Sequence, residues 1–106
     1  MVTENKSNFA KLEEYSKLLE QYLTDNIDAR SFEHNYFSKF KNDSTNWSID
    51  EFEILNSIFT DLDAFSPNPS LKDEFDIDEV QLRENTKRNL ETLRVLMRAK
   101  ENRQYN

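Results

Sequence analysis

Carboxylates are the groups of this sequence best placed to do chemistry, and they are crowded into one stretch. Asp61, Asp63, Asp73, Glu74, Asp76, Asp78 and Glu79 lie close together in the chain, with Lys72 as the one base among them. Clustered acids can ligate calcium, act in pairs on a glycosidic bond, or present charge to a cationic partner. A calcium loop of the EF-hand type needs oxygen ligands at alternating positions and a glycine at its sharp turn. "DLDAFSPNPSLKDE" puts Phe65 at the third ligand position and Ser66 at the glycine position, so the pattern fails. "DEFDIDE" is accounted for by two overlapping helix caps. A glycosidase pair needs a cleft, which acids on the convex end of a small bundle do not have.

Other chemistries are excluded more simply. The chain has no glycine, which removes phosphate-cradling and dinucleotide loops, and no cysteine, which removes disulfides and thiolate metal sites. A single histidine, His34, builds no metal cluster, and its place away from the aromatic face of its helix predicts an exposed side chain rather than a general base. The sequence therefore predicts no enzyme, no cofactor and no metal site, and leaves a cationic partner as the use for the acids.

Four elements must position them. Apolar residues recur at helical spacing and nowhere alternate as in a strand, which predicts an all-α fold. A first helix is expected over about 8–24, with Phe9, Leu12, Tyr15, Leu19, Tyr22 and Leu23 on one stripe and Asn26 as the left-handed residue that ends it. Asp28 then reads as the N-cap of a second helix, about 29–42, with Ala29, Phe32, Tyr36, Phe37 and Phe40 inward. Ser48 and Glu51 have capping-box spacing, and Trp47 precedes them where an apolar residue can staple a helix start. The third helix would bury Phe52, Leu55, Phe59 and Leu62 and turn Asp50, Glu53, Ser57 and Asp61 outward.

Pro67 and Pro69 end that helix, because each lacks an amide donor and disfavours the α region for the residue before it. Either Asp76 with Glu79 or Asp78 with Gln81 can cap a fourth helix of about 78–100, whose seam is Leu82, Thr86, Leu90, Leu93 and Met97. The simplest packing is a small antiparallel four-helix bundle with a long acidic, proline-containing loop between helices 3 and 4. At 106 residues the chain should form one helical domain over 1–106, fraying at about 1–7 and 101–106. Phe65 and Phe75 bracket the long loop, either to pin it to the bundle or to anchor an interface.

Charge is segregated along the chain. Residues 1–42 carry seven acids and six bases, residues 43–79 eleven and one, and residues 80–106 three and seven, within a net charge of −7. Acids at helix starts (Asp50, Glu51, Asp78, Glu79) suit the helix dipole, but Asp61 and Asp63 fall near a helix C-terminus, where negative charge is unfavourable. The acidic middle attracts a basic partner and repels nucleic acid and anionic membrane. Arg83, Lys87, Arg94 and Arg98 on the fourth helix read as partners for acids on a neighbouring helix. With no apolar run near the ~20 residues of a membrane span and no apolar core of a signal peptide, a soluble cytoplasmic protein is expected.

"LLEQYLTDNIDARSFEHNYF" followed by "DEFEILNSIFTDLDAFSPNPSLKDEFDIDEVQLRENTKRNLETL", about residues 18–93, resembles the colicin D-like family of bacterial self-protective immunity proteins. The most specific part runs from Asp63 to Pro69, then through the acidic stretch to Glu79 and on to Leu82–Arg83; Phe65 stands where the family often has Tyr, and Asn68 where it often has Asp. The resemblance implies a monomer that binds one antibacterial toxin domain in the bacterial cytoplasm. The toxin is typically a basic, tRNA-cleaving nuclease delivered by a colicin or a contact-dependent inhibition system. The acidic middle of the chain would then supply the partner-binding residues, Asp50, Glu53, Asp61, Asp63, Phe65, Asp73, Glu74, Asp76, Asp78 and Glu79, with Asp61, Asp63, Asp73, Glu74, Asp76 and Asp78 standing in for nucleic-acid charge at the toxin. The other reading is an acidic helical adaptor for a basic protein with no nuclease involved.

Overall fold

A computed structural model describes residues 3–66 and 76–103, and the side chains of 8–66 and 76–100. Among the described residues it holds four helices, α1 (Thr3–Leu23), α2 (Ala29–Lys41), α3 (Ile49–Ala64) and α4 (Glu79–Arg103). They alternate in direction. α1 and α3 each pack against α2 and α4, which closes a four-helix square. The ends of α1 and α3 and the starts of α2 and α4 therefore share one end of the bundle, here called the loop end.

Leu12, Tyr15, Leu19 and Tyr22 of α1 are fully buried, as are Phe32 and Tyr36 of α2, Leu55 and Leu62 of α3, and Leu82 and Leu93 of α4. Four of these ten are aromatic and meet where α1 packs on α2: Tyr22 stacks on Phe32 at 4.8 Å, and Tyr15 lies 5.4 Å from Tyr36. Aromatic pairs of this kind contribute about 0.5–1.5 kcal/mol beyond their burial. Each tyrosine also keeps its hydroxyl satisfied, Tyr36 by donating to the Leu55 carbonyl at 2.6 Å and Tyr15 by donating to Asp43 at 2.7 Å. Thr86 sits in the α4 seam because its hydroxyl donates to the Leu82 carbonyl one turn back, at 2.7 Å.

The caps follow local chemistry. Asp28 accepts from the Ser31 amide at 2.8 Å, and Ser48 and Glu51 exchange the two bonds of a capping box. Of the two options for α4, Asp78 takes the cap, accepting from the Gln81 amide at 2.9 Å.

Two expectations are corrected. The left-handed residue after α1 is Asp25 (φ 63°), not Asn26. The amides of Asp25 and Asn26 reach back to the Tyr22 and Gln21 carbonyls at 3.1 and 2.9 Å, a Schellman closure. Arg83 holds that strained position by donating to the Leu23 carbonyl at 3.0 Å and the Asp25 carboxylate at 3.1 Å. α3 is rotated from the expected register: Ile54 and Ile58 are buried with Leu55 and Leu62, while Phe52 is 49% exposed. Ile54 of α3 shares a groove with Leu96 of α4, while Phe52 and Phe59 meet Phe40 of α2. Beyond its expected place ahead of the α3 cap, Trp47 packs edge-on against Tyr15 of α1 at 6.1 Å, so it braces the α2–α3 connection against α1.

Candidate partner-binding surface

The segment joining α3 to α4 leaves and re-enters the bundle through a pinned base. Phe65 and Ile77 form an isolated parallel bridge in which the Ser66 amide donates to the Ile77 carbonyl and the Ile77 amide to the Ala64 carbonyl, both at 2.9 Å. Phe65 and Ile77 are partly buried against the core. Of the two uses foreseen for Phe65, the bundle contact is realised, yet the ring also lines an opening with Asp28, Ala29, Arg30, Glu33 and Glu79. Phe75, Asp73 and Glu74 lie outside the described residues, as do Pro67, Pro69 and Lys72.

Around that base stand exposed carboxylates. Asp63 ends α3, Asp78 caps α4, Glu79 opens it, and Asp28 caps α2. Backbone and hydroxyl bonds from Ser31 hold the Asp28 carboxyl below its ordinary range, so it is ionised at neutral pH. Glu79 is fixed by the Tyr22 hydroxyl, which donates to it at 3.0 Å; burial and this carboxylate push the Tyr22 phenol up to about 12. Val80 adds a 73% exposed apolar side chain beside them. Asp76 belongs to the same base by position.

The remaining predicted acids are elsewhere. Asp61 turns towards α4, where it accepts from Asn85 at 3.3 Å and from Asn89 at 3.0 Å. Its burial raises the carboxyl above the ordinary aspartate range, against the pull of the two amides. The two asparagines account for an acid near a helix C-terminus without recourse to a partner. Asp50 and Glu53 are exposed at the far end of α3, where they line a groove with Ile54, Ser57, Thr92 and Leu96. At a rise of about 1.5 Å per residue, Asp50 is roughly 20 Å from Asp63. The row expected on the outer face of α3 thus runs along the α3–α4 seam.

Two acids of the loop end, Asp28 and Glu33, were not among the expected surface residues. The signal that could have found them is topological: in an up-down bundle the start of α2 returns to the end where α3 stops and α4 begins. The base of the basic stripe is also resolved. Arg83 pairs with Asp25 and Arg94 with Glu20 at 2.8 Å, both across the α1–α4 seam, as expected for intramolecular partners.

Among the described residues no group of three His, Asp or Glu side chains could hold a metal ion, and no helix is long and apolar enough to cross a membrane. What stands out is an all-helical protein that shows a carboxylate-rich end to solvent, the anatomy of a binding module. The chain belongs to the bacterial self-protective colicin-like immunity family, whose sequence model matches residues 10–93. Its class is accordingly that of a toxin-neutralising immunity protein. A comparison with curated proteins finds no match.

Proposed function

We propose that this chain neutralises a cognate antibacterial toxin by seating its acidic loop end on the basic, RNA-binding active site of a nuclease domain, one that cleaves tRNA. The observation that carries this reading is the group of exposed carboxylates, Asp28, Asp63, Asp78 and Glu79, with the half-buried Glu33, around the Phe65–Ile77 bridge. A tRNase must hold phosphates with lysine and arginine, and carboxylates at fixed positions can take their place. The pinned base lowers the ordering cost of binding, and the charge speeds encounter by roughly 10- to 1,000-fold at low salt. The inhibitor acts as a monomer in a 1:1 complex in the bacterial cytoplasm, without catalysis and without touching nucleic acid. Phe65 and Val80 supply the apolar contact that an interface of charges needs.

The test is co-expression with the C-terminal toxin domain encoded immediately upstream of its gene, scoring survival and tRNA integrity. Survival with intact tRNA that depends on this chain is the expected result. Removing charge with Asp63→Asn, Asp78→Asn and Glu33→Gln together should then weaken inhibition and flatten its salt dependence, and full protection by that variant at physiological salt would sink the charge-mimic mechanism. Death with cleaved tRNA despite soluble chain would break the pairing. A harmless upstream domain would favour an acidic adaptor for some other basic protein.

A further inference from the structure

The groove between α3 and α4 lies on the flank of the two helices that the acidic loop joins. Ile54, 8% exposed, and Leu96 give it an apolar floor, Thr92 and Ser57 line it, and Asp50 and Glu53 stand on its α3 wall. Towards the loop end the same seam is closed, because Asp61 is bonded to Asn85 and Asn89. Val95, next to Leu96, is 58% exposed. Three other acids near α4 are matched: Glu51 with Lys100, Glu20 with Arg94, Asp25 with Arg83. Asp50 and Glu53 have no cation among the described residues. The groove therefore combines an apolar bed with two carboxylates, one helical turn apart, that meet no cation among the described residues.

We infer that this groove is a second docking site, which takes an arginine side chain of the same toxin from outside the toxin's active site. Arginine fits the chemistry. Its aliphatic stem can lie on Ile54 and Leu96 while the guanidinium fork bonds to the carboxylates of Asp50 and Glu53, a geometry lysine's point charge matches less well. The span also fits. An ordinary interface covers about 800 Å² per partner, a patch roughly 30 Å across, so one toxin can reach both the loop end and a groove about 20 Å away along α3. The loop end would supply charge mimicry shared by any tRNase inhibitor, and the groove would select the cognate toxin by where its arginine stands. This inference rests on the proposed toxin-binding function.

Titration calorimetry of the full chain with the purified upstream-encoded toxin domain separates the two. Asp50→Asn with Glu53→Gln should weaken binding about 10- to 100-fold, chiefly through faster dissociation. Thr92→Arg, which fills the groove with the chain's own guanidinium from an exposed position, should weaken it similarly; circular dichroism and melting temperature establish that both variants are folded. In the Asp50→Asn/Glu53→Gln background, alanine replacement of one toxin arginine outside the active site should cost nothing further. If both groove variants bind within twofold of the parent while Asp63→Asn/Asp78→Asn weakens binding, the groove is not a docking site and the loop-end reading stands. If the parent chain does not bind the toxin, both readings fall.

Discussion

The two ends of the bundle use the same residue type in opposite ways. Away from the loop, two acids are consumed inside the fold while Asp50 and Glu53 stay exposed: Glu51 is 2% exposed, bonded to Lys100 at 2.5 Å and to the Ser48 amide at 2.9 Å, and Asp43 takes the Tyr15 hydroxyl. At the loop end, Asp28, Asp63, Asp78 and Glu79 remain exposed, their bonds limited to local caps and one tyrosine. Carboxylates that close helices and pair with lysine add stability, whereas carboxylates left in water add charge for a partner. A count of acids per segment does not separate the two, since Glu51 and Glu53 are two residues apart and have opposite roles.

The largest break in that comparison comes at Lys100. Its replacement by Ala leaves the Glu51 carboxylate buried without its counter-charge, and unfolding in urea should show a loss of about 3–5 kcal/mol at neutral pH. Burial opposes ionisation of Glu51, but the bonds from Lys100 and Ser48 more than offset it, so its carboxyl sits below the ordinary glutamate value of 4.5. A folded-state value lowered in this way gives stability that is present above the unfolded pKa and lost as the pH falls through the folded one. Wild type should therefore weaken on acidification below about pH 4.5, and the gap to Lys100→Ala should narrow there. A double variant, Glu51→Gln with Lys100→Met, keeps the acceptor for Ser48 and should recover most of the loss. Equal urea midpoints for Lys100→Ala and wild type at pH 7 would show that the pair does not hold this end.

A smaller effect sharpens the contrast from the other side. Asp78→Ala removes the α4 cap and should cost about 1 kcal/mol, while Asp78→Asn keeps the cap and should leave the melting temperature near that of wild type. Only the charge is lost in the second variant, so toxin affinity should fall for both and stability for one. If Asp78→Asn unfolds as readily as Asp78→Ala, the charge of this residue serves the helix rather than the partner.

Local rules reached much of this from sequence. Ser48 with Glu51, Asp28 with Ser31 and the Leu82–Met97 seam are set by spacings of three and four residues, and the structure places them as expected. Pairings set by how helices meet were not legible. Glu51 finds Lys100 at the other end of the sequence, and the capping box gives no hint that the same carboxylate has a second, buried partner. α3 carries Ile49, Phe52, Ile54, Leu55, Ile58, Phe59 and Leu62, so two apolar stripes can be drawn on it. The one through Phe52 predicted that ring inside, but α3 buries Ile54, Leu55, Ile58 and Leu62 and leaves Phe52 half exposed. The same rotation carried Asp61 from the expected outer face into the seam.

Asp61 gives the smallest effect and the subtlest sign, because it lies between the two uses of charge. It is drawn away from water like Glu51, though only partly, yet only neutral amides face it in the seam, with Arg88 one step further back, donating to Asn85 at 2.5 Å. Burial raises its pKa, so the folded state binds this proton more tightly than the unfolded chain. Stability then falls as the pH rises from the unfolded value through the raised folded one, the reverse of Glu51. Asp61→Asn removes the ionisation and still offers its side-chain oxygen to Asn85 or Asn89, so it should match or exceed wild type at pH 7 by less than about 1 kcal/mol. The difference should shrink towards zero as wild-type Asp61 protonates on acidification. Urea unfolding of both proteins at pH 7 and in mild acid measures it. A loss above about 1 kcal/mol at pH 7 would mean that the ionised carboxylate, through stronger bonds to both asparagines, clamps α3 to α4, and that Asp61 belongs with Glu51 among the structural acids.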